Sequence, residues 1–154
     1  LSTYYFSNSE GRRYHLFFLL DIIACVTPIG LFLGRIANFI NGELVGKTTD
    51  VSWSVVFPAI DTLPRHPSQL YEAFLEGFLL FIIMITLVLQ KNYKTKTCSY
   101  IFLILYGCFR IFCEFFREPD IQIGYVFNFV SMGMILSALM ILAGAIIFIK
   151  QDDN

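Results

Sequence analysis

The chain has 154 residues, of which 56% are hydrophobic and 15% charged, and its formal net charge is −1. Soluble domains carry about 25% charged residues, so an ordinary soluble enzyme is disfavoured. The same composition excludes a disordered segment and argues against a basic nucleic-acid-binding module, so no nucleic-acid partner is expected. A membrane protein forming one unit over residues 1–154 is the remaining class.

Four long apolar stretches follow one another along the chain, at residues 16–40, 74–89, 98–116 and 125–149. A helix needs about 20 apolar residues to cross a bilayer core of roughly 30 Å. The fourth stretch contains no charge, the second reaches this length if it begins near Tyr71, and the third carries Arg110 and Glu114. The pattern predicts an all-α membrane protein with four transmembrane helices.

Basic residues lie where the predicted connections meet on one side of the membrane. They precede the first helix, follow the second and follow the fourth, at Arg12, Arg13, Lys91, Lys94, Lys96 and Lys150. The positive-inside rule makes that side cytoplasmic. We therefore expect a cytoplasmic C-terminus and an extracytoplasmic connection over residues 41–67, which are polar and rich in turn residues.

The first group of polar residues interrupts the end of the first helix. Arg35 and Asn38 are three residues apart and share a helix face. Asn41 and Gly42 predict the helix end, with the glycine in the left-handed conformation, and Glu43 follows. A guanidinium suits a phosphate diester. The alternative is an interfacial arginine that reaches towards water.

The second group precedes and opens the second helix. Two prolines bracket Arg65 and His66 and predict an extended segment, and Ser68 is predicted to cap the helix. Glu72 and Glu76 are four residues apart and share a face at its outer end. A histidine here is able to accept a proton near neutral pH. The alternative is a solvated loop imidazole.

The third group lies on one face of the third helix. Tyr106, Arg110, Glu114 and Arg117 fall within about 80° of each other. Arg110 and Glu114 have the spacing of an ion pair. The functional interpretation is a cationic wall for an anionic ligand, and the alternative is an ion pair that ties helices together.

The remaining polar residues give weaker signals. Asp21 is expected at the membrane interface, and Asn128 and Ser131 are expected to hydrogen-bond between helices. No set of residues has metal-ligand spacing, so neither metal nor cofactor is predicted. The four cysteines are expected to act as small apolar residues, at Cys25, Cys98, Cys108 and Cys113. Arginines on separate helices at one membrane level indicate recognition of an apolar, phosphate-bearing substrate such as a phospholipid.

Four segments resemble motifs of the bacterial prolipoprotein diacylglyceryl transferases. Residues 34–46 read GRIANFINGELVG and closely resemble the signature of that family. Residues 64–72 (PRHPSQLYE), residues 106–120 and residues 131–133 (SMG) resemble its further motifs, in the same order. The resemblance extends over roughly residues 28–133.

The resemblance implies a multi-pass enzyme of the bacterial inner membrane. Such an enzyme moves the diacylglyceryl group of phosphatidylglycerol to the thiol of a lipobox cysteine in a prolipoprotein that still carries its signal peptide. Glycerol-1-phosphate leaves and a thioether remains. The implied partners are the donor lipid, the prolipoprotein and the bilayer.

The resemblance also implies roles for individual residues. Arg35 and Arg110 are expected to hold the phosphate and stabilise charge on the leaving group, with Tyr106 and Glu114 orienting Arg110 as further catalytic residues. The expected substrate-binding residues besides Arg35 are Asn38, Asn41, Glu43, Gly46, His66 and Arg117.

Two departures from the family pattern shape these expectations. The family has seven helices and a His-Gly-Gly motif, whereas this sequence predicts four helices and lacks that motif; Met134 also stands where the family often has Gln. We therefore expect the C-terminal portion of such an enzyme, inactive or severely impaired alone. The alternatives are a subunit of an anion or lipid transporter and a non-catalytic membrane scaffold.

Overall fold

A computed structural model of the chain describes residues 9–90, 94–118 and 130–152. Helix α1 covers Ser9–Asn41. The second span consists of α2 (Ser68–Glu72), a π-helix (Ala73–Leu79) and α3 (Leu80–Val88) in succession. Helix α4 covers Thr97–Glu114, and α5 covers Met132–Asp152.

Four helical segments in the described part of the chain are long and apolar enough to cross a membrane, at Leu16–Asn41, Ser68–Val88, Thr97–Glu114 and Met132–Gln151. Their outer faces expose large apolar side chains such as Leu33, Phe74 and Leu142. Exposing such apolar faces to water costs free energy, whereas contact with lipid tails does not. The prediction of an all-α, multi-pass membrane protein is confirmed. The second span begins at Ser68, and thus includes Tyr71, which the apolar run alone would have left outside.

Helix α1 ends where the sequence predicted. Its last residue is Asn41, and Gly42 adopts the left-handed conformation with φ of 68°. The backbone N–H of Gly42 donates to the carbonyl of Phe39, and that of Glu43 to the carbonyl of Asn38. These bonds satisfy carbonyls of the last turn and turn the chain out of the helix.

The second span contains a feature that the apolar pattern did not predict. Residues Ala73–Leu79 form a π-helix, in which an extra residue is accommodated in the turn. Gly77 lies in this segment against Phe32 of α1, and a Cβ built on it would lie 2.6 Å from the Phe32 Cβ. The absence of a side chain at Gly77 therefore allows α1 and the second span to approach closely.

Two glycines bring α4 and α5 together in the same way. A Cβ at Gly107 would lie 2.8 Å from the Ser137 carbonyl oxygen, and one at Gly144 would lie 3.0 Å from the Tyr100 carbonyl oxygen. Small residues permit such backbone approach, which is a main source of helix association in membranes.

The apolar core lies between α1, α3 and α4. Ala24, Leu80, Met84 and Cys98 are buried there. This core leaves the polar contacts to the two ends of the bundle. Because the spans alternate in direction, the ends can be named by their residues: the Asn41 end, where α1 and α4 finish, and the Asp21 end, where α4 begins.

The connection between α1 and α2 folds into a short antiparallel pair at the Asn41 end. Strand β1 (Val55–Val56) pairs with β2 (Pro64–Arg65), so the extended segment predicted around Arg65 is confirmed. The predicted cap of α2 is wrong: Pro67 occupies the cap position. The Ser68 hydroxyl instead donates to the Leu44 carbonyl at 3.2 Å, because the returning loop lies against it.

At the Asp21 end, one carboxylate holds the start of another helix. Asp21 is only 3% exposed. It accepts hydrogen bonds from the Lys96 N–H at 2.7 Å, the Ser99 N–H at 2.8 Å and the Ser99 hydroxyl at 2.5 Å. The side chain of Asp21 is thus enclosed by protein at this end of the bundle. It faces the start of α4 because the unpaired N–H groups there attract a carboxylate.

Ser131 has a local role at the start of α5. Its hydroxyl accepts from the Met134 N–H at 3.2 Å and so caps the helix. Asn128, which was expected to act with it, lies outside the described residues, as do the side chains of Arg12 and Arg13.

Candidate functional site

Arginines from two different spans meet on one buried carboxylate at the Asn41 end. The Nε of Arg35 in α1 lies 2.9 Å from Oε2 of Glu72, and Nη1 of Arg110 in α4 lies 2.5 Å from Oε1 of the same residue. Glu72 is fully buried. The sequence predicted that the two guanidinium groups would lie at one membrane level, and the structure places them on opposite oxygens of one side chain.

Four further contacts complete this arrangement. The carboxylate of Glu76 lies between the same two arginines, Arg117 Nη1 lies 3.9 Å from Glu72 Oε1, and Glu114 Oε2 lies 3.1 Å from Arg110 Nη2. We call this set the charge cluster, which comprises Arg35, Glu72, Glu76, Arg110, Glu114 and Arg117.

Within the described part of the chain, the charge cluster is electrically balanced, with three arginines and three glutamates joined by ion pairs. An isolated charge inside a membrane helix is costly, and such groups therefore pair or face a cavity. Removing one partner of a buried ion pair leaves the other charge uncompensated. The pairing explains how three apolar spans tolerate five ionisable side chains, with Arg117 just beyond the end of α4.

The two glutamates of the second span are paired unequally. Glu72 makes contacts of 2.5 and 2.9 Å, whereas Glu76 lies 3.6 Å from Arg35 Nη2 and 3.7 Å from Arg110 Nη1. Among the described residues, neither carboxylate oxygen of Glu76 accepts a hydrogen bond, although the side chain is fully buried. Glu76 lies in the π-helix directly before Gly77.

The predicted ion pair between Arg110 and Glu114 is present. Glu114 also borders α5, because a Cβ built at Gly133 would lie 3.4 Å from both of its carboxylate oxygens. Gly133 thus leaves room beside the cluster.

Tyr106 lies on the same helix but pairs differently from the prediction. Its ring stacks on Phe102 with centroids 5.6 Å apart and planes 10° from parallel. The described residues include no hydrogen bond between Tyr106 and Arg110, so the orienting contact expected of the phenol is absent from this arrangement. Tyr106 packs instead against the apolar core.

The polar residues of the first motif do not join the charge cluster through their side chains. Asn38 is half-buried, while Asn41 and Glu43 are exposed. Two of these residues form hydrogen bonds through their backbone carbonyls. The Asn38 carbonyl accepts from the Glu43 N–H at the helix end, and the Glu43 carbonyl accepts from Gln69 Nε2 at 2.7 Å. Gln69 is fully buried, so this bond ties the first motif to the start of α2.

Gly46 lies where all three motifs meet. Its N–H donates to the His66 carbonyl at 3.1 Å, and the Lys47 N–H donates to the Phe116 carbonyl at 2.9 Å. A Cβ at Gly46 would collide with the His66 carbonyl and lie 2.8 Å from the Phe116 carbonyl oxygen. Gly46 and Arg117 also form a backbone bridge, which connects the loop to the charge cluster.

His66 lies in an aromatic group outside the charge cluster. Its ring is 5.3 Å from Phe116 and 6.0 Å from Tyr71, measured between centroids. Trp53 Nε1 donates to the Tyr71 hydroxyl at 2.7 Å, and that hydroxyl lies 3.2 Å from His66 Nδ1. Because the Tyr71 hydroxyl accepts from tryptophan, its own proton is free to be donated to Nδ1 of His66.

Arg65 holds the loop over the end of the bundle. It contacts Asp61 at 2.7 Å, the Gly46 carbonyl at 2.9 Å and Glu118 at 3.3 Å. The hydrogen bond from Arg65 lowers the pKa of Asp61 from its usual 3.8. The same bond raises the pKa of Arg65, so both groups stay charged across the physiological range.

Glu72 and Glu76 lie at the centre of the cluster, although the sequence does not assign them to the site. Their four-residue spacing predicts a shared helix face, but it carries no information about which cations approach them. The available signal was the pair of carboxylates inside an apolar span, where uncompensated charge is expensive.

The chain matches known proteins over nearly all of its length. A sequence model of the family described as prolipoprotein diacylglyceryl transferase matches residues 1–150. The protein of Rickettsia akari (strain Hartford) named phosphatidylglycerol–prolipoprotein diacylglyceryl transferase is 52% identical over 148 residues. The proteins with the same name from Rickettsia rickettsii (strain Sheila Smith) and Rickettsia felis are 53% and 52% identical. Each match covers 93% of this chain and 57% of the relative, so the chain spans little more than half of their length.

Proposed function

The chain belongs to the prolipoprotein diacylglyceryl transferase family, and we propose that it supplies the lipid-phosphate site of such a transferase. In the proposed reaction, the diacylglyceryl group of phosphatidylglycerol moves to the thiol of the lipobox cysteine in a prolipoprotein. The proposed location is the bacterial inner membrane, with the C-terminus in the cytoplasm and the Asn41 end outside it.

The convergence of Arg35 and Arg110 on one buried carboxylate carries this proposal. Arg35 Nε lies 2.9 Å from one carboxylate oxygen of Glu72, and Arg110 Nη1 lies 2.5 Å from the other. This spacing suits a small anion with two acceptor oxygens. A phosphodiester presents the same pair of oxygens as a carboxylate, and arginine binds both in bidentate fashion. A headgroup phosphate is therefore able to bind the same two guanidinium groups that Glu72 contacts.

The proposed chemistry needs charge stabilisation at this position. The cysteine sulfur attacks the glyceryl carbon, the carbon–oxygen bond to the phosphate breaks, and glycerol-1-phosphate leaves with one additional negative charge, while the thiol proton is released. Arginines fixed in a low-dielectric site stabilise charge as it develops on the leaving group. Arg35 and Arg110 are the residues proposed for this role, with Glu114 orienting Arg110.

The other residues of the motifs are proposed to support the site. Gly46 and Arg117 join the loop to the cluster, and His66, with Asn38, Asn41 and Glu43, lies on the loop side, from which a signal peptide would approach. Tyr106 is proposed to act through its position between Arg110 and the core rather than through a hydrogen bond.

Binding of the donor lipid tests the site in the chain itself. Lipid nanodiscs of phosphatidylcholine containing a minor fraction of labelled phosphatidylglycerol report selective binding. Arg35→Lys and Arg110→Lys keep the charge and lose the planar guanidinium, so we expect each to weaken phosphatidylglycerol binding by at least about tenfold, the loss of one charge-assisted hydrogen bond.

Arg65→Lys is the matched control, since Arg65 pairs with Asp61 and Glu118 outside the cluster. It should leave lipid selectivity unchanged. A non-catalytic scaffold would give a different result. Its wild-type chain would show no preference for phosphatidylglycerol, and the cluster variants would only unfold at lower temperature. Flux of phosphate or another anion across the membrane would instead support a transporter.

Transfer itself is tested in a chimera of this chain with the part of the Rickettsia felis protein that it does not span. We expect the chimera to convert a lipobox peptide to the diacylglyceryl thioether, measured by its mass. The same chimera with Arg110→Lys should lose this product. A chimera that folds, binds phosphatidylglycerol and forms no thioether contradicts the proposed reaction.

A further inference from the structure

The two buried glutamates of the second span differ in how well their charge is compensated. Glu72 receives close contacts from both Arg35 and Arg110, whereas the oxygens of Glu76 lie 3.6 and 3.7 Å from them. No hydrogen bond from a described residue reaches either oxygen of Glu76. Burial without hydrogen bonds penalises an ionised carboxylate far more than a protonated one.

An anionic headgroup changes the charge balance of this region. Counted over the described residues, the charge cluster has three positive and three negative side chains. A phosphodiester bound between Arg35 and Arg110 adds one negative charge to a site that water does not screen. Like charges held close together in a poorly solvated site cannot all remain ionised at neutral pH.

We propose that Glu76 takes up one proton from the solvent when an anionic lipid headgroup binds between Arg35 and Arg110, so that the cluster stays neutral. This inference rests on the proposed function, and it assigns Glu76 as the positioning residue that frees the arginines for the phosphate. A protonated Glu76 no longer competes for the guanidinium groups, and Glu72 continues to hold their geometry.

The groups that face Glu76 support its selection over the other glutamates. Arg35 faces it from α1, and Arg110 faces it from α4. Tyr106 and Cys113 of α4 and Glu72 of its own span also lie within electrostatic range. Glu72 and Glu114 each have a contact of 3.1 Å or less with a guanidinium, whereas the contacts of Glu76 are 3.6 and 3.7 Å.

Proton uptake is measured directly by titrating the chain in phosphatidylcholine nanodiscs with short-chain phosphatidylglycerol. Calorimetry in buffers of different ionisation enthalpy gives the number of protons taken up per lipid. We expect a value close to one for the wild-type chain at neutral pH. The dissociation constant should rise by up to about tenfold per pH unit as the pH increases, because binding requires a proton.

Two substitutions locate the proton. Glu76→Gln is uncharged at every pH, so it should bind phosphatidylglycerol with no proton uptake, no pH slope and greater affinity than wild type at high pH. Glu114→Gln removes the same charge from the same cluster and is the matched control. It should change the affinity while keeping both the proton uptake and the pH slope.

Infrared spectroscopy provides a readout that does not depend on lipid affinity. Binding of phosphatidylglycerol should produce the carbonyl band of a protonated carboxylic acid in the wild-type chain and in Glu114→Gln. This band should be absent from Glu76→Gln.

The outcomes separate this inference from the proposed function. Phosphatidylglycerol binding that shows no proton uptake, or uptake that persists in Glu76→Gln, overturns the inference and leaves the lipid site intact. Failure of the wild-type chain to prefer phosphatidylglycerol over phosphatidylcholine at any pH overturns the lipid site and the inference with it.

Discussion

The two ends of the bundle both bury carboxylates inside apolar helices, but they satisfy them differently. At the Asp21 end, one carboxylate accepts hydrogen bonds from the Lys96 N–H, the Ser99 N–H and the Ser99 hydroxyl, all within 2.8 Å. At the Asn41 end, Glu72 and Glu76 share two arginines, and Glu76 accepts no hydrogen bond from a described residue.

The difference distinguishes a structural carboxylate from one that is available for binding. The donors around Asp21 are mostly backbone groups of a helix terminus, which a ligand cannot displace without unfolding the helix. The donors around Glu72 and Glu76 are long side chains, which are able to exchange one anion for another. Burial alone therefore does not identify a functional residue in this membrane protein.

The largest effect should come from removing the carboxylate that both arginines contact. Among the described residues, Glu72→Ala leaves Arg35 with Glu76 at 3.6 Å, and it leaves Arg110 with Glu76 at 3.7 Å and Glu114 at 3.1 Å. We expect a loss of about 3–5 kcal/mol in the free energy of unfolding, as for other broken buried pairs. Reversible unfolding in mixed detergent micelles, followed by Trp53 fluorescence, measures this loss.

Glu118→Ala is the control for that variant, because Glu118 also pairs with an arginine but its side chain is 51% exposed. Its cost should not exceed about 1 kcal/mol. Equal costs for Glu72→Ala and Glu118→Ala would contradict the proposed importance of the buried cluster.

Asp21→Ala should destabilise the chain without altering the lipid site. The N–H groups of Lys96 and Ser99 lose their acceptor, and we expect a cost of about 2 kcal/mol. Phosphatidylglycerol selectivity, measured in nanodiscs on the folded fraction, should match the wild type. A loss of lipid selectivity in this variant would show that the two ends of the bundle are coupled, which contradicts the separate roles assigned to their carboxylates.

Ser99→Ala tests the hydrogen bonding of Asp21 with a smaller change. It removes the hydroxyl bond to Asp21 while keeping the backbone N–H bond from the same residue. The expected cost is about 1 kcal/mol, measured by the same unfolding transition. Combined with Asp21→Ala, the serine substitution should add almost nothing, because its partner is already absent.

The smallest effect is expected at the partly buried ion pair of Asp61 with Arg65, which lies in the loop between the first two spans. Because the folded state holds the pKa of Asp61 below 3.8, the pair stabilises the chain above that pH and stops doing so as the pH falls through the folded value. Asp61→Asn should therefore be slightly less stable than wild type at pH 7. The gap should close in acid below about pH 4 and narrow with salt.

Several local features could be predicted because short stretches of sequence carry them. The end of α1 at Asn41 and the left-handed Gly42 follow from helix-end chemistry, and the Arg110–Glu114 pair follows from the four-residue spacing. The extended segment around Arg65 follows from its flanking prolines. Each of these depends on residues within one turn or one strand.

Other features could not be predicted because their partners are distant in the chain. Asp21 accepts a hydrogen bond from the N–H of Lys96, which lies 75 residues away in the chain. No local sequence pattern links the two residues. Glu72 lies 38 residues from Arg110, and Tyr106 turned from its expected partner to stack on Phe102. The π-helix at Ala73–Leu79 likewise follows no apolar period that the sequence displays.

The four apolar spans, the family and the residue types at the Asn41 end all follow from the amino-acid sequence, because lipid requires long apolar helices and every charge within them stands out. The amino-acid sequence does not reveal which charges meet. Helix rotation and the close approach at Gly77 bring Arg35 and Arg110 to the same carboxylate, and these depend on packing between spans rather than on any one of them.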